Sequence, residues 1–438
     1  MHASRLVREG PCILLAVGLV FACAGPLASA ATLLVPQQYP TIKEALLASQ
    51  NGDTVLIAPG VYALANGDFN GGTGKSIKVQ GSGQGETRLD LPVAVSVYLA
   101  GPVSGPPLVI TELTLQPALA GQSGGTFSVD GNVQVLKCTF QSLRSAAFRA
   151  LQGTATLVQA CSFEGEWELE RPQVTAHAGG SIVVESCVFS IMSLGGSSQA
   201  SALQVENSVA DPDAVVIRDS AFVCNSGLNW GAVVGHPSRI EGCIFVHNSA
   251  SGLGGAAVLT GVGGVIAPTI VTGCHFYDNS APVGGAIVSW LGALVDVSNC
   301  EFANNTADYA GAIYSAGPLL VNDTSFCGNA GGDILAGGTY GSGNTFDAEC
   351  GKDCDQDGIP DSSAIALGLV EDIDGDGVPD VCQPQYFSGD LNGDCVVNGA
   401  DLGIVIAGWG SNTGAGDVNQ DGSVDGSDLA VVLGQWSG

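Results

Sequence analysis

The sequence has few basic residues: 13 Lys and Arg stand against 42 Asp and Glu, so the formal net charge is −29 over 438 residues. Lys and Arg are the side chains that neutralise phosphates, so their scarcity excludes nucleic acid as a general partner and disfavours anionic membranes. Methionine is also rare, with 2 residues, whereas glycine is abundant, with 64. Because glycine destabilises helices, this balance argues against a mainly helical protein. Hydrophobic residues, at 45%, argue against wholesale disorder.

Long apolar runs are nearly absent as well. One run of 13 residues, 12–24, follows the basic residues Arg5 and Arg8. It is too short to span a bilayer comfortably, and the small residues at 28–30 form a cleavage signal. The sequence therefore predicts a signal peptide over residues 1–30, a secreted mature chain and no membrane span. A lipid anchor at Cys23 is an alternative that fits the surrounding residues less well.

The acidic residues are unevenly distributed along the chain. Residues 350–438 contain 16 Asp and Glu and one base, Lys352, whereas residues 31–349 contain 25 acidic and 10 basic residues. The mature chain therefore divides near Cys350 into two regions of different composition.

The middle of the chain contains a repeated signature, in which a small residue is followed two positions later by Phe. Successive copies are 20 to 33 residues apart, which suits a solenoid whose length changes are confined to turns. The later copies add an Asn three residues after the Phe and a glycine-rich start of the next strand. The small residue is in turn Cys138, Cys161, Cys187, Ser220, Cys243, Cys274, Cys300, Thr324 and Asn344.

The segments between these signatures are short and β-branched, and helical periodicity is absent. Residues at i and i+2 of a strand point to the same side, so the Cys and Phe positions stack into interior ladders when coil follows coil. Each coil pairs its backbone with the next at about 4.8 Å. An Asn at a fixed turn position can bond the neighbouring backbone and tolerates left-handed geometry. The expected fold class is all-β, with a parallel β-helix solenoid over residues 31–349.

The signature also resembles known β-helix repeats. Phe-x-x-Asn-[Ser/Thr/Ala] followed by Gly-Gly-Ala-Ile is similar to the repeats of polymorphic outer-membrane proteins, and residues 35–62 resemble the opening of pectin-lyase-like proteins. The resemblance implies a right-handed parallel β-helix. In that opening, Thr41 and Glu44 have the spacing of a capping box for a short helix over about 42–50, which would close the N-terminal end.

The cysteines divide into ladder and off-ladder positions. Ladder cysteines in register point the same way, whereas a disulfide requires two Cβ atoms that face each other, so we expect buried, reduced thiols there. Cys224 and Cys327 lie off the ladder. Export favours oxidation in the acidic region, where either Cys354–Cys382 or Cys350–Cys354 could form.

The acidic region carries four loops with oxygen-bearing residues at alternate positions. Ca²⁺ is a hard cation that takes six to eight oxygens, and positions 1, 3, 5, 9 and 12, with the backbone carbonyl of position 7, converge on one centre. Glycine at position 6 permits the sharp turn; Gly422 keeps this rule and Cys395 departs from it. Mg²⁺ is less suited because it retains more water.

The candidate Ca²⁺ ligands recur in the same register four times, which a disordered acidic tail would not explain. The first two loops offer Asp353, Asp355, Asp357 and Asp361, then Asp372, Asp374, Asp376 and Asp380. The third offers Asp390, Asn392, Asp394, Val396, Asn398 and Asp401. The fourth offers Asp417, Asn419, Asp421, Ser423, Asp425 and Asp428.

Two resemblances cover these loops. The region 350–385 resembles thrombospondin type 3 calcium repeats, and the region 386–438 resembles a type I dockerin, with a short helix after each of its two loops. The second resemblance implies a small α-helical, EF-hand-like domain that folds on Ca²⁺ and binds a cohesin on another protein. The two helices lack the basic residues that are usual in dockerins, so a cell-surface protein other than a cohesin is the alternative partner. We expect Trp409 and Trp436 in the core of this domain.

Catalytic residues are not evident in the β-helix region. Uronate lyases need clustered bases and hydrolases need neighbouring carboxylates, and neither pattern occurs in residues 31–349. Its histidines are isolated and are expected at the surface or in turns: His177, His236, His247 and His275. Stacked coils could still bring together three strand-borne carboxylates: Glu185, Asp296 and Glu301.

Two functional hypotheses follow. The first is a secreted, calcium-binding β-helix that binds carbohydrate or protein as a surface scaffold and is attached through its dockerin-like module. The second is a polysaccharide lyase or glycoside hydrolase that carries the same module. Catalysis would require two or three carboxylates, or an Arg beside Ca²⁺, in one groove of the β-helix.

Overall fold

The computed structural model describes residues 30–119, 124–165, 173–177, 179–190, 202–207, 211, 213–227, 231–252, 257–260, 268–290, 294–336, 339–372, 377–382, 389–392, 396–411, 414, 416–419 and 422–436. The predicted signal peptide, apart from residue 30, lies outside these residues.

Three parallel sheets of 13, 12 and 10 strands run along the molecule, and the chain visits them in turn. Sheet 1 contains Thr32–Val35, Thr54–Ile57, Lys78–Gln80, Leu108–Thr111, Val133–Leu136, Ala155–Gln159, Ser181–Glu185, Val215–Arg218, Arg239–Glu241, Thr269–Thr272, Val295–Ser298, Leu319–Asn322 and Thr339–Tyr340. Sheet 2 contains Gly60–Ala63, Thr87–Leu91, Thr114–Pro117, Thr139–Gln141, Ser162–Glu164, Val188–Ser190, Ala221–Val223, Ile244–Val246, His275–Tyr277, Glu301–Ala303, Ser325–Cys327 and Thr345–Asp347. Sheet 3 contains Ser96–Ala100, Thr126–Asp130, Ser145–Ala150, Gln173–Ala176, Leu203–Asn207, Val233–Gly235, Ala257–Thr260, Ile287–Trp290, Ile313–Ser315 and Ile334–Ala336. A short parallel pair joins Ser226–Gly227 to Ser249–Ala250.

The Phe positions of sheet 2 form the predicted interior ladder. Each Phe is the register partner of the Phe in the next coil, as Phe140 is of Phe163 and Phe163 of Phe189. From Phe140 to Phe346, successive ring centroids lie 4.6–5.0 Å apart with interplanar angles of 7° or less. The chain is therefore an all-β parallel solenoid, as the repeat predicts.

In eight of the nine signatures the small residue before the Phe is buried and donates a hydrogen bond to the carbonyl two residues earlier, whereas the ninth, Asn344, is half-buried and donates to Val321 O. Cys187 Sγ lies 3.3 Å from its acceptor, Ser220 Oγ lies 2.8 Å and Thr324 Oγ1 lies 2.8 Å. The position therefore selects a small side chain with a donor, which is why Cys, Ser and Thr interchange there. The six ladder cysteines are free thiols, as predicted.

A second ladder is built from the turn asparagines. Asn279 donates its Nδ2 to Phe245 O and to Asn305 Oδ1, both at 2.9 Å, and its Oδ1 accepts from the Nδ2 of Asn248 at 2.9 Å. The left-handed conformation belongs to the residue before each Asn, such as Asp278 with φ +47°, and not to the Asn itself. The expected backbone bonding is thus confirmed, and the expected left-handed Asn is wrong.

Helices are few and short. Helix α1, Ile42–Ala48, begins with Thr41 as N-cap and buries Ile42, Ala45 and Leu46 in the solenoid core; it ends before the predicted residue 50. The other helices are α2 (Asp361–Ala366), α3 (Gly399–Gly408) and α4 (Gly426–Gly434), with 3-10 turns at Asn70–Gly72 and Asp380–Cys382.

The disulfides resolve the alternatives left open by the sequence. Cys354 pairs with Cys382, one of the two predicted bridges. Cys350 pairs instead with Cys327, which lies on a strand of sheet 2, so the Cys350–Cys354 alternative is wrong. Cys224 is also disulfide-bonded.

Candidate calcium loops and docking surface

The C-terminal residues 389–436 contain two loop–helix repeats. The side-chain oxygen of Asn398 accepts from Ala400 N at 2.7 Å, and that of Asp425 accepts from Ser427 N at 2.8 Å, so these residues begin the two helices as N-caps. The repeats share a core of buried valines: Val397, Val405, Val418, Val424 and Val432.

Three of the four predicted loops share one hydrogen bond between positions 1 and 6. In each, the glycine N–H donates to the carboxylate of the first Asp, and the glycine has φ of +81° to +84°. Only glycine adopts this conformation without strain, which explains the residue choice. The pairs are Asp353 with Gly358 at 3.1 Å, Asp372 with Gly377 at 3.1 Å, and Asp417 with Gly422 at 3.0 Å.

Two of these first carboxylates leave an oxygen without a protein partner. Oδ1 of Asp353 and Oδ1 of Asp417 are buried, and neither accepts a hydrogen bond from the described residues. A buried carboxylate oxygen is costly unless a donor or a cation satisfies it. In the first loop, Asp353, Asp355 and Asp361 also bring carboxylate oxygens within 4.8 Å of one another. These donor sets fit a hard cation such as Ca²⁺.

The closely spaced, partly buried carboxyl groups of the first loop have raised pKa values. Burial, reinforced by the neighbouring Asp355, raises the pKa of Asp353 to about 6. Burial raises the pKa of Asp357 to about 6 as well, and the charges of Asp355 and Asp353 add to the shift. A divalent cation among these carboxylates would relieve both the burial and the repulsion.

The two aspartates at position 12 play a part that ligand spacing does not reveal. Asp401 and Asp428 are fully buried and accept backbone N–H bonds of 2.8–3.2 Å from their own loops. Burial alone would raise the pKa of both, but these hydrogen bonds outweigh it and hold the pKa below the usual value. Each carboxylate thus closes its loop onto the start of its helix. The donors are Leu391, Asn392 and Asn398 for Asp401, and Asn419 and Asp425 for Asp428.

The remaining predicted ligands are spread over the loops. Asp390 and Asn419 are half-buried, whereas Asn392 and Ser423 are exposed. The carbonyl of Val396 accepts from Asn398 Nδ2 at 3.1 Å. Asp380 begins the 3-10 turn Asp380–Cys382. Asp374, Asp376, Asp394 and Asp421 lie outside the described residues.

Both tryptophans of the C-terminal repeats are exposed, which corrects the expectation that they form its core. Trp409 is 53% exposed and Trp436 is 43% exposed. Trp409 is the C-cap of α3, and Trp436 lies just beyond the end of α4, so both project past the valine core. Ile406 and Leu433 are exposed beside them on the same helices.

Residues 350–370, which we call the clasp segment, pack against the outer face of sheet 2. Ile359 and Ala364 are buried on Val246, Tyr277 and Ala303, which belong to three successive coils. The Cys327–Cys350 disulfide fixes the start of the segment to the same face. The first candidate loop, Asp353–Asp361, is therefore built against the solenoid.

Polar contacts under α2 involve two residues that the sequence treats as isolated. Glu301 accepts from Tyr277 Oη at 2.6 Å and from Ser363 Oγ at 2.9 Å, and His275 Nδ1 lies 3.3 Å away. Burial would raise the pKa of Glu301, but these hydrogen bonds outweigh it and lower the pKa. Burial and the Glu301 carboxylate raise the pKa of Tyr277.

A second histidine is also partnered across coils. His247 Nδ1 lies 2.9 Å from Asp278 Oδ2, and although burial would lower its pKa, this carboxylate raises it. Nearby, Asn304 Nδ2 donates to Gly358 O of the clasp segment at 3.1 Å. The expectation that His247 and His275 are isolated is therefore wrong, because coil stacking gives each a carboxylate neighbour. His247 does lie in a turn, as expected, directly after the strand Ile244–Val246.

The three strand-borne carboxylates are not brought together. Glu185 and Asp296 lie on sheet 1 with three strands between them, and Glu301 lies on sheet 2 beneath the clasp segment. Glu185 forms an ion pair with Arg218 at 3.1 Å. Among the described residues, close groups of three His, Cys, Asp or Glu side chains occur only within residues 353–382. One of these groups includes Cys354 and Cys382, whose sulfurs are already joined.

None of the described helices is long and apolar enough to cross a membrane. No curated protein sequence matches the chain. Among solved structures, the chain is similar to the catalytic domain of a GH87 alpha-1,3-glucanase in complex with nigerose, at 13% identity and a TM-score of 0.45, covering 73% of this chain and 70% of that chain.

Two further similar structures are a variant of a PL6 family alginate lyase and the A-module of a mannuronan C-5 epimerase from Azotobacter vinelandii. The first has 12% identity, a TM-score of 0.31 and covers 75% of this chain and 55% of that chain. The second has 12% identity, a TM-score of 0.30 and covers 68% of this chain and 91% of that chain. These values describe a distant likeness and bear on neither reaction nor substrate.

Residues 388–434 match the family described as the dockerin type I domain. The chain is a parallel β-solenoid followed by a dockerin type I region.

Proposed function

We propose that this is a secreted attachment protein: its dockerin region binds a cohesin-type partner in the presence of Ca²⁺ and thereby displays the solenoid as a polysaccharide-binding body. The observation that carries the proposal is the duplicated apolar face of residues 389–436. Ile406 and Leu433 occupy equivalent positions in the two repeats, and Trp409 and Trp436 do so as well. All four side chains are at least 43% exposed.

This face is suited to a protein partner. Exposed aromatic and aliphatic side chains are the anchors of protein interfaces, and a soluble domain rarely exposes a cluster of them without a partner. The face also lacks charge: α3 and α4 contain no Lys or Arg, and their aspartates, Asp401 and Asp428, are buried. A cohesin-type partner would therefore be held by apolar contact and not by ion pairs.

Calcium would act by ordering the two loops that position this apolar face. Asp417 would supply its orphaned Oδ1 to the ion, and the neighbouring oxygens would complete the shell. When bound, Ca²⁺ supplies the positive charge that the loop lacks. Asp401 and Asp428 then keep each loop joined to its helix, so that α3 and α4 hold their exposed residues in a fixed arrangement.

The test is binding of the full chain to a panel of purified type I cohesins by biolayer interferometry, with Ca²⁺ and with EDTA. We expect Ca²⁺-dependent binding to at least one cohesin, weakened roughly a hundredfold by the double substitution Trp409→Ala and Trp436→Ala, since two aromatic anchors are lost. Tyr98→Ala, an exposed aromatic on the solenoid, is the matched control. Binding that survives EDTA or the double substitution would contradict the proposed docking face.

A further inference from the structure

The outer surface of sheet 3 carries a pair of aromatic rings in neighbouring coils. Val288 is the register partner of Tyr314, and Trp290 lies two residues farther along the first strand, on the same outer face. The ring centroids of Trp290 and Tyr314 are 5.0 Å apart with an interplanar angle of 51°. Trp290 and Tyr314 are therefore diagonal neighbours on the sheet, and their rings are in contact.

The pair is partly exposed to solvent, and the polar groups of both side chains make no hydrogen bond within the described residues. Both rings are partly exposed, and neither the indole N–H of Trp290 nor the hydroxyl of Tyr314 has a hydrogen-bond partner among the described residues. An exposed apolar side chain flanks it: Leu335, the register partner of Tyr314, is 49% exposed. Trp290, Tyr314 and Leu335 form an apolar patch, which we call the sheet 3 platform.

The other described ring pairs have structural explanations. The Phe pairs belong to the interior stack, whose last ring, Phe346, is 51% exposed only because the stack ends there, and the contact between His275 and Tyr277 is covered by the clasp segment. The clasp segment packs on sheet 2, so it does not account for the aromatic residues of sheet 3. The Trp290–Tyr314 pair therefore calls for an external ligand.

The charge around the platform restricts that ligand. No Lys or Arg occurs between Arg239 and Lys352, whereas Asp308 and Asp333 lie in the segments that flank Tyr314. An anionic chain such as a polyuronate, a sulfated glycan or a nucleic acid would meet negative charge with no cation to balance it. A neutral ligand avoids this repulsion.

We propose that the sheet 3 platform binds a neutral polysaccharide by stacking sugar rings on Trp290 and Tyr314. The C–H face of a pyranose carries partial positive charge and packs on the negative face of an aromatic ring, while its hydroxyls accept from the Trp290 N–H and bond the Tyr314 hydroxyl. The inference deepens the proposed function, because it rests on the solenoid being the polysaccharide-binding body and assigns the site and the ligand class.

The experiment is affinity electrophoresis of the full chain in native gels that contain a soluble glucan, a xylan or a galactomannan, with polygalacturonate as the anionic comparison. We expect at least one neutral polysaccharide to retard the protein and polygalacturonate to leave its mobility unchanged. Trp290→Ala and Tyr314→Ala should each weaken binding roughly tenfold. Tyr98→Ala is the matched control, because Tyr98 is an exposed aromatic at the opposite edge of the same sheet.

The outcomes separate this inference from the proposed function. Retardation by a neutral polysaccharide that is unchanged in Trp290→Ala and Tyr314→Ala would overturn the platform and leave polysaccharide binding intact. Retardation by polygalacturonate alone would overturn the neutral ligand class. No retardation by any of the four polysaccharides would overturn both the platform and the polysaccharide-binding role. Near-unchanged melting temperatures of the variants establish that they are folded.

Discussion

The hydroxyl of Ser363, on helix α2, donates to both carboxylate oxygens of Glu301, at 2.9 and 3.1 Å, across a separation of 62 residues. The contact joins the acidic region to the solenoid at a point where Tyr277 already donates to the same carboxylate. Glu301 therefore acts as the acceptor at the centre of the interface between the clasp segment and sheet 2.

The Glu301 contact should depend on pH. Its pKa in the folded protein is lowered from the ordinary 4.5, so its contribution to stability is complete above about pH 4.5 and is lost as the pH falls through the lower, folded value. We expect hydrogen exchange in residues 359–367 to speed up as the pH falls below about 4.5, after correction for intrinsic rates. Glu301→Gln should remove this dependence, whereas the exposed Asp308→Asn should retain it; equal behaviour of the two variants would refute the assignment.

Ile359 should be the main apolar anchor of the clasp segment. It is 5% exposed and packs on Val246, Tyr277 and Ala303, so Ile359→Ala should weaken docking of the segment by about 2–4 kcal/mol. Limited proteolysis between residues 355 and 370 measures the effect as faster cleavage. Leu369→Ala, in the same segment but 46% exposed, should change it by less than about 0.5 kcal/mol. Similar cleavage rates for the two variants would show that the segment is not anchored at Ile359.

Substitution of an Asn in the middle of the ladder should lower the free energy of unfolding more than substitution of the Asn at its end. Asn279 is fully buried, and Asn279→Ala removes the hydrogen bonds that it makes with Phe245 O, Asn248 Nδ2 and Asn248 N, which we expect to cost about 3 kcal/mol or more. Asn329→Ala, at the partly exposed end of the ladder, should cost less than half as much. Urea unfolding followed by circular dichroism gives both values, and an equal cost would contradict a cooperative ladder.

Calcium should order the C-terminal repeats. Removal of Ca²⁺ with EDTA should expose residues 389–436 to protease and lower the helical circular dichroism signal, because the buried Asp417 oxygen then has no partner. Asp417→Ala should weaken Ca²⁺ binding in calorimetry by roughly tenfold or more. Asp308→Ala, an exposed solenoid aspartate, is the control. Proteolysis and circular dichroism that do not change on chelation would refute calcium-dependent folding.

The solenoid could be predicted from the sequence because its repeats are set by local periodicity. The Phe spacing predicts the interior stack, and the interchange of Cys, Ser and Thr follows from one hydrogen bond that each of them makes. The turn geometry could not be predicted as fully, because the left-handed conformation lies at the residue before each Asn and not at the Asn itself. That residue varies among Cys, His, Asp, Asn and Gly, so no single residue type marks it.

The contacts of the clasp segment could not be predicted, because they join residues far apart in the chain. His275 and Glu301 look isolated in sequence and meet only when coils stack in register. The exposure of Trp409 and Trp436 could not be predicted either, because α3 and α4 are apolar on several sides and periodicity does not choose which side is buried. The valines that fill the core are smaller and lie nearer the loops.

The Cys327–Cys350 disulfide also determines how the molecule would bear a mechanical load. A partner that pulls on residues 389–436 transmits tension through Cys382 to Cys354 and from Cys350 to Cys327, so the force enters the solenoid one coil inside its end. The final strands, Ile334–Ala336, Thr339–Tyr340 and Thr345–Asp347, lie in the loop closed by this disulfide and carry no tension. A stack whose coils contact only their neighbours is weakest when peeled from its last strand. Because the load enters at Cys327, it bypasses these last strands, so that pulling on residues 389–436 does not peel them from the stack first.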